Sequence, residues 1–375
     1  SSFLSYDNNP VVFLIDPFEL TYLHDMSLAN MLFSGSLYLD GEKSDIASVL
    51  SFNSTNNLQT LMQSDSLDLY KGNVNLKGDL FLSEKGLFAD GIFSSKYLNF
   101  ISNKIELLSG EIRGKVNYVS NGDVLATTPF LSKKPALINF HPYDNEFLIK
   151  TRDSKLLIYD NFGFLGDIYF DSENLNGSGG LEFSFFNITS SHYYFSPNNI
   201  GAADASLVVN ANVKKQDQFI SKGVSVEYDI LDDIVLILKN NDSFSLPTLE
   251  YFIDYDFALI DIKGLNIEFS NNKETDVGSL TSLKYGKKKS FTYGALSSNY
   301  NLTTNELCVE GGVQLAIKKF WIQPDNNTFC ILDNGDFPVF ENSTLIKKRW
   351  LFKDKLINNK DVIIKPNLKH LIIGD

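Results

Sequence analysis

One stretch of this chain returns in recognisable form further along it. Gly78-Asp79-Leu80-Phe81-Leu82-Ser83-Glu84-Lys85-Gly86-Leu87-Phe88-Ala89-Asp90-Gly91 is echoed 88 positions later by Gly166-Asp167-Ile168-Tyr169-Phe170-Asp171-Ser172-Glu173-Asn174-Leu175-Asn176-Gly177-Ser178-Gly179. Both copies read Gly-Asp, an apolar-aromatic-apolar run, a polar turn, Leu, and small residues leading to a final Gly. A fixed recurrence of strand and turn chemistry implies that one supersecondary unit is stacked on the next, which constrains the architecture more than any single motif could. The repeat predicts that Gly78 and Gly166 hold equivalent positions at the start of strands. Alternation then turns Leu80, Leu82 and Leu87, with Ile168, Phe170 and Leu175, inward and leaves Asp79 and Asp167 solvated.

The rest of the sequence agrees with strands. Its 375 residues include 30 Phe and 17 Tyr, side chains that fit a pleated surface, while abundant Ser and Asn supply turns. Period-two segments such as Gly35–Asp40, Gly72–Leu76, Gly114–Val119 and Ser206–Ala211 are opened or closed by turn residues. The expected fold is all-β: an elongated repeat array of stacked or meandering sheets, either a β-solenoid or a β-sandwich-like groove. Its sections are an N-terminal β unit at 1–71 with a short helix or lid, a repeat unit at 72–160, a second at 161–209, and a C-terminal β section at 210–375. The helical candidates are Phe18–Phe33 and, with a weaker stripe, Asp45–Leu61.

Charge and motif content exclude several functions. A formal charge of −13 argues against a nucleic-acid backbone partner, which needs a basic stripe. The basic runs Lys287-Lys288-Lys289 and Lys347-Lys348-Arg349 read as solvated turns or edges. No stretch reaches the roughly 20 apolar residues of a membrane-spanning helix. The first residues lack the basic and small-residue features of a signal peptide, and the last apolar run stops abruptly, so a fragment of a larger exported protein is expected. His24, His141, His192 and His370 are scattered without zinc-like spacing. Asp254-Tyr255-Asp256 and Asp261 lack the early Gly of a calcium loop. Carboxylate pairs such as Asp232-Asp233 and Asp65/Asp68 invite a glycosidase reading, yet 46 acidic residues generate many such pairs by chance. No catalytic residue, cofactor or metal is assigned. Cys308 and Cys330 lie in strand-like runs that could face each other; a disulfide and two buried thiols both remain open. Asn-x-Ser/Thr triplets, as at Asn53 and Asn187, arise easily in a chain this rich in Asn and Ser.

Three stretches resemble a family of very large, uncharacterised repeat-containing envelope proteins of the Bacteroidetes group. The unit at 78–91, with its relative at 166–179, is similar to that family's recurrent strand followed by a Gly-Leu-x-Gly-x-Gly turn. His141-Pro142-Tyr143-Asp144-Asn145-Glu146-Phe147, running on to Tyr159-Asp160-Asn161, resembles the connector before a fresh copy. Glu310-Gly311-Gly312-Val313-Gln314-Leu315-Ala316-Ile317 through Asp325, with Leu345 and His370, is similar to the strand pattern that follows. Where the family shows an acidic-Ala pair after this strand, the chain has Lys318-Lys319, which puts any site carried by that pair in doubt. The resemblance implies a location and an architecture, and no reaction.

The expected role is a non-enzymatic structural or binding component of the cell envelope, in the periplasm or at the outer-membrane surface. It would present a β surface to envelope proteins or an outer-membrane complex, with Trp321 and Trp350 as candidate anchors because Trp is enriched at binding hot spots. Two rivals are a lipid conduit with an apolar β groove, motivated by the surplus of Phe, and a carbohydrate-active β-helix enzyme. Whether the inward Phe side chains close into a dry core separates the first rival from the scaffold.

Overall fold

A computed structural model of the chain describes residues 11–18, 31–44, 48–52, 58–211, 216–282, 292–311, 314–317, 320–331, 339–347, 353, 355–365 and 370–373. Among these residues the fold is all-β with extended sheets; a 3-10 turn at Asp123–Leu125 interrupts the strands and there is no α-helix. Of the helix expected over Asp45–Leu61, residues 45–47 and 53–57 lie outside the described residues and the described remainder is strand, since Ser48, Val49 and Leu50 alternate buried, exposed, buried and so follow the period of a sheet. Of the candidate at Phe18–Phe33, residues 19–30 lie outside the described residues, while Leu32 and Phe33 begin a strand. The chain divides into two units, Ser1–Leu181 with Phe195–Pro197, and Glu182–Tyr194 with Asn198–Asp375.

The first unit begins with β1 (Val12–Ile15), β2 (Leu32–Leu39), β3 (Glu42–Lys43), β4 (Ser48–Phe52) and β5 (Leu58–Leu69). β6 (Val74–Ser83), β7 (Gly86–Ser94) and β8 (Leu98–Leu108) continue the antiparallel ladder. Then come β9 (Glu111–Val116), β10 (Tyr118–Asn121), β11 (Phe130–Ser132), β12 (Ala136–His141), β13 (Glu146–Lys150), β14 (Leu156–Ile158) and β15 (Phe162–Asp171). Strands β8 and β15 are each shared between two ladders. The C-terminal half of β8 leads through β9, β12 and β13 to the C-terminal half of β15. The N-terminal half of β8 leads through β10, β11 and β14 to the N-terminal half of β15. The result is a closed, barrel-like ring of eight strands, which leaves no free edge within it.

Register explains what fills the ring. Leu80, Ala89, Ile105, Gly114, Ile138, Ile149 and Ile168 stand in one row across seven strands, and Leu82, Leu87, Leu107, Ile112, Phe140, Phe147 and Phe170 in the next. Every side chain in these rows is buried. Phe147 packs against Phe170 at 5.6 Å and against Phe130, from the opposite ladder, at 5.8 Å. The inward Phe side chains of the first unit therefore close on one another as a packed core. Leu80, Leu82, Leu87, Ile168, Phe170 and Leu175 are all inward, as the alternation requires, and Asp79 and Asp167 remain partly exposed.

The repeat is deeper than the matched residues. Shifting β6, β8, β13 and β14 by 88 positions gives the bounds of β15, of β17 (Phe186–Ser196), of β20 (Ile234–Leu238) and of β21 (Phe244–Leu246). Gly78 and Gly166 have φ of 155° and 153°, and Gly91 and Gly179 have 149° and 147°. Gly78 and Gly166 are each the fifth residue of a strand of 10, so the equivalence holds but the position is mid-strand and not the start. The reason is steric. A Cβ on Gly78 would lie 2.7 Å from Gly91 Cα, and one on Gly166 would lie 2.8 Å from Gly179 Cα. In the first copy, Ser64, Gly78, Gly91 and Ser102 form a row of small residues across four strands. Ser102 Oγ donates to Lys115 O at 2.7 Å, and Ser190, its counterpart, donates to Ala203 O.

Strand β16 (Leu175–Phe183) and β17 contain the boundary between the units. The second unit continues with β18 (Asn199–Val209), β19 (Phe219–Asp229), β20, β21, β22 (Tyr251–Asp254), β23 (Phe257–Asp261), β24 (Asn266–Ser270) and β25 (Gly278–Ser282). It ends with β26 (Thr292–Ala295), β27 (Ser297–Asn301), β28 (Glu306–Glu310), β29 (Gln314–Ile317), β30 (Phe320–Gln323), β31 (Thr328–Ile331), β32 (Phe340–Lys347), β33 (Lys355–Lys365) and β34 (His370–Ile373). Two ladders diverge from β19. One runs β20, β23, β24, β27, β28, β31. The other runs β21, β22, β25, β26, β29, β30, β32. Between them Phe219, Phe244 and Phe269 meet with centroids 5.7 to 5.9 Å apart, and all three are buried. Hairpins on the first ladder turn on a left-handed residue placed just before the returning strand: Asp233, Leu265 and Asn305, as Asn145 does in the first unit. Asn and Asp tolerate that conformation, which is why the turns are rich in them.

Cys308 and Cys330 face each other across β28 and β31 and form a disulfide, so the pairing left open by the sequence is settled. Both are half-buried on the face opposite to buried Leu307, Val309, Phe329 and Ile331. Their sequence separation is 22 residues. Replacing both by Ser should destabilise the second unit by about 2–4 kcal/mol, chiefly by freeing the unfolded chain. Urea denaturation of the variant against the oxidised protein reads this directly; coincident curves would show that the bond constrains nothing.

Burial also sets an alkaline limit. Burial pushes Tyr159 and Tyr255 up to about 12, above the usual phenol value near 10. A phenol whose folded value is raised contributes stability that is intact below pH about 10 and is lost as pH climbs towards 12. The melting temperature should therefore be insensitive to these groups below pH about 10 and fall above it. Tyrosinate absorbance should rise together with unfolding, and ionisation of every tyrosine near 10 in the folded state would refute the assignment.

Candidate functional site

Among the described residues, those that the sequence singled out do not converge. Trp321 is half-buried on β30, registered between Ala316 and Ile346, on the face opposite to buried Ile322. Trp350 lies outside the described residues, as does His24. His141 sits at the end of β12, His192 is exposed on β17, and His370 opens β34. Asp233 accepts a hydrogen bond from Tyr228 Oη at 2.7 Å and pairs with Lys263 at 2.9 Å, which together hold its carboxyl below the usual range. Asp68 accepts from Asn75 at 2.9 Å. The Asp254 and Asp256 side chains are engaged by Lys239 and by the backbone of Asn272, and Asp261 caps the turn at Gly264. These carboxylates hold turns in place.

Hairpin tips gather a second polar cluster in the first unit. Tyr143 Oη donates to Asp40 Oδ2 at 3.1 Å, and Gly110 N donates to the same oxygen at 2.9 Å. Buried Tyr70 donates to Leu108 O and Glu111 O, at 2.9 and 3.0 Å. Burial, with Asp40 alongside, raises both phenols, Tyr143 to about 12. A protonated phenol that donates to backbone carbonyls is a structural strut.

A shallow open groove of about 510 Å3 lies on the outer face of the first unit, lined by Phe88, Lys104, Glu106, Arg113, Gly114, Leu137, Ile138, Asn139, Leu148 and Lys150. Strand alternation places it there. Phe88, Glu106, Arg113, Asn139 and Leu148 form one outward row across β7, β8, β9, β12 and β13, directly behind the buried rows of the core. Gly114 belongs to the inward row, and only its backbone borders the groove. Lys104 Nζ stands 4.6 Å from the centre of the Phe88 ring. Arg113 Nε donates to Glu106 Oε2 at 2.9 Å, and Lys150 lies 3.6 Å from Asp167. The Asn139 Oδ1 atom is buried and has no hydrogen-bond partner. The groove offers a mainly apolar floor, cations at its rim and one unsatisfied acceptor.

No family model matches the chain, and no curated protein or solved structure is significantly similar to it. Sequence reasoning missed the groove because its members come from five strands and occupy ordinary outward positions. The one signal for them in the sequence is slight: Lys104, Arg113 and Lys115, against Glu106 and Glu111, within a strongly acidic chain.

Proposed function

We propose that this chain is a non-enzymatic structural or binding component of the bacterial cell envelope that presents a β surface to partner proteins. The observation that carries the reading is the division of labour between faces. In the first unit the inward rows are spent on a closed core, while Phe81, Ile92, Leu137 and Tyr169 stay exposed on outward positions of the same strands. Exposed apolar side chains interspersed with charges suit association better than turnover, which needs titratable groups gathered in a water-poor pocket. The Cys308–Cys330 disulfide favours an oxidising compartment, and the resemblance to large repeat-containing envelope proteins agrees with it.

Crosslinking in intact bacteria tests this, comparing the native chain with Trp321→Ala, since a Trp at a hot spot is worth at least about tenfold in affinity. The expected result is an exported, fully oxidised chain with a discrete partner adduct that the substitution weakens. Reduced thiols in a cytoplasmic pool, or measurable turnover of any polysaccharide, would overturn the reading.

A further inference from the structure

We propose that the outer-face groove of the first unit binds an acidic glycan, a saccharide chain bearing ring carboxylates such as a hexuronate. This rests on the groove alone and does not depend on where the protein resides.

Three features define the ligand. The first is charge: Lys104, Arg113 and Lys150 line the groove, with Glu106 paired to Arg113 and Asp167 to Lys150, in a chain whose formal charge is −13. Lys115 stands beside Leu137 in the register and adds to the same face. A locally cationic patch on an acidic protein selects anions. The second is the unsatisfied acceptor: Asn139, at an outward position, has its Oδ1 buried without a partner, and a ligand O–H or N–H meets it once the amide turns into the groove. An ionised fatty acid has no proton to give there, whereas a sugar acid carries hydroxyls next to its carboxylate. The third is shape. The groove is open and lies across five strands, and its apolar floor at Phe88 and Leu137 can take the C–H face of a pyranose while the two lysines reach its carboxylate.

The molecule contains its own control. At positions 88 residues later the fold repeats but the groove does not: His192 stands for Lys104, Gly201 for Arg113, Glu227 for Asn139 and Leu238 for Lys150. Ala202 replaces Gly114, and the Tyr194 ring lies over Gly201. The buried positions keep their apolar character across the two copies, so the strand architecture does not require the cations or the orphaned amide. Something other than folding accounts for them, and a bound anion is the occupant their chemistry fits.

The test is titration of the whole chain with oligogalacturonate of about six residues and with a neutral cello-oligosaccharide of equal length, read by calorimetry. Saturable binding of the acidic chain is expected, weakened by salt and by the double variant Lys104→Glu, Lys150→Glu by at least about tenfold. Asn139→Leu should weaken it about fivefold while leaving the salt dependence unchanged. Both substitutions are outward, and an unchanged melting temperature of the double variant keeps the comparison valid should Asn139→Leu misfold. Equal affinity for the neutral oligosaccharide, no binding of either, indifference to the double variant, or binding only to phosphatidylglycerol vesicles would each overturn the proposal.

Discussion

Gly166→Val should destabilise the first unit by about 4 kcal/mol, more than any outward substitution in the chain. Two costs combine, about 1–3 kcal/mol for a branched residue in a glycine-only backbone region and about 1–3 kcal/mol for overpacking. The backbone cost follows from the φ of 153° at this position. The packing cost follows from the facing strand, whose Gly179 Cα would lie 2.8 Å from the new Cβ, with the Ser178 carbonyl nearer still. Neither neighbour can yield, because both are backbone. β15 also passes from one ladder of the ring to the other at this residue: Phe162–Phe164 pair with β14, and Asp167–Asp171 with β13. Thr151 fixes the crossing point, since its N–H donates to Gly166 O at 2.9 Å and its Oγ1 accepts from Gly166 N at 2.9 Å. Gly180→Ala is the control, because a Cβ there meets nothing within 4 Å and no positive φ is involved. Urea denaturation followed by circular dichroism should separate the two variants widely. Equal midpoints would mean that the paired glycines are incidental to the fold.

Why this architecture was partly readable follows from the same residues. The Gly-Asp motif betrayed the repeat because a steric demand met by glycine alone leaves a fixed letter in the sequence. Strand alternation assigned the faces of Leu80, Leu82 and Phe170 correctly for an equally simple reason, since a slip of one residue would expose the whole row. What stayed hidden was the extent of the repeat. Strands β13 and β20 share bounds at an offset of 88, yet Glu146-Phe147-Leu148-Ile149-Lys150 and Ile234-Val235-Leu236-Ile237-Leu238 share a pattern and few residues. The closure of eight strands was equally invisible, because it depends on β8 and β15 splitting their pairing between two ladders, and splitting leaves only bulges and small residues behind. Where the helix expected over Asp45–Leu61 falls on described residues it gives way to strands, because tertiary pairing of β4 with β2 and β5 outweighs local propensity. Groove residues such as Asn139 could not be singled out at all. An unsatisfied amide exists only once its neighbours are placed.

Phe170→Ala is expected to cost about 3–5 kcal/mol, the range for removing a fully packed aromatic from a core. Phe170 is 4% exposed, stacked on Phe147 at 5.6 Å and tilted against Tyr97 at 5.4 Å. It lies on the half of β15 that pairs with β13, where one ladder of the ring closes. A void left there is bounded by ring strands that cannot close in without breaking their hydrogen bonds, so little relaxation should offset the lost contacts. Phe81→Ala, on the outward face of the repeat's first copy and 37% exposed, removes the same atoms from a surface and should cost far less. The pair of variants thus measures what the aromatic surplus of this chain is for. If chemical denaturation finds Phe170→Ala indistinguishable from Phe81→Ala, the inward aromatics line accessible space, and a lipid-carrying groove becomes the better account. If the inward loss is several-fold larger, the Phe content is accounted for by closing the ring, and ligands and partners must be met on the outward rows, where the groove at Asn139 lies.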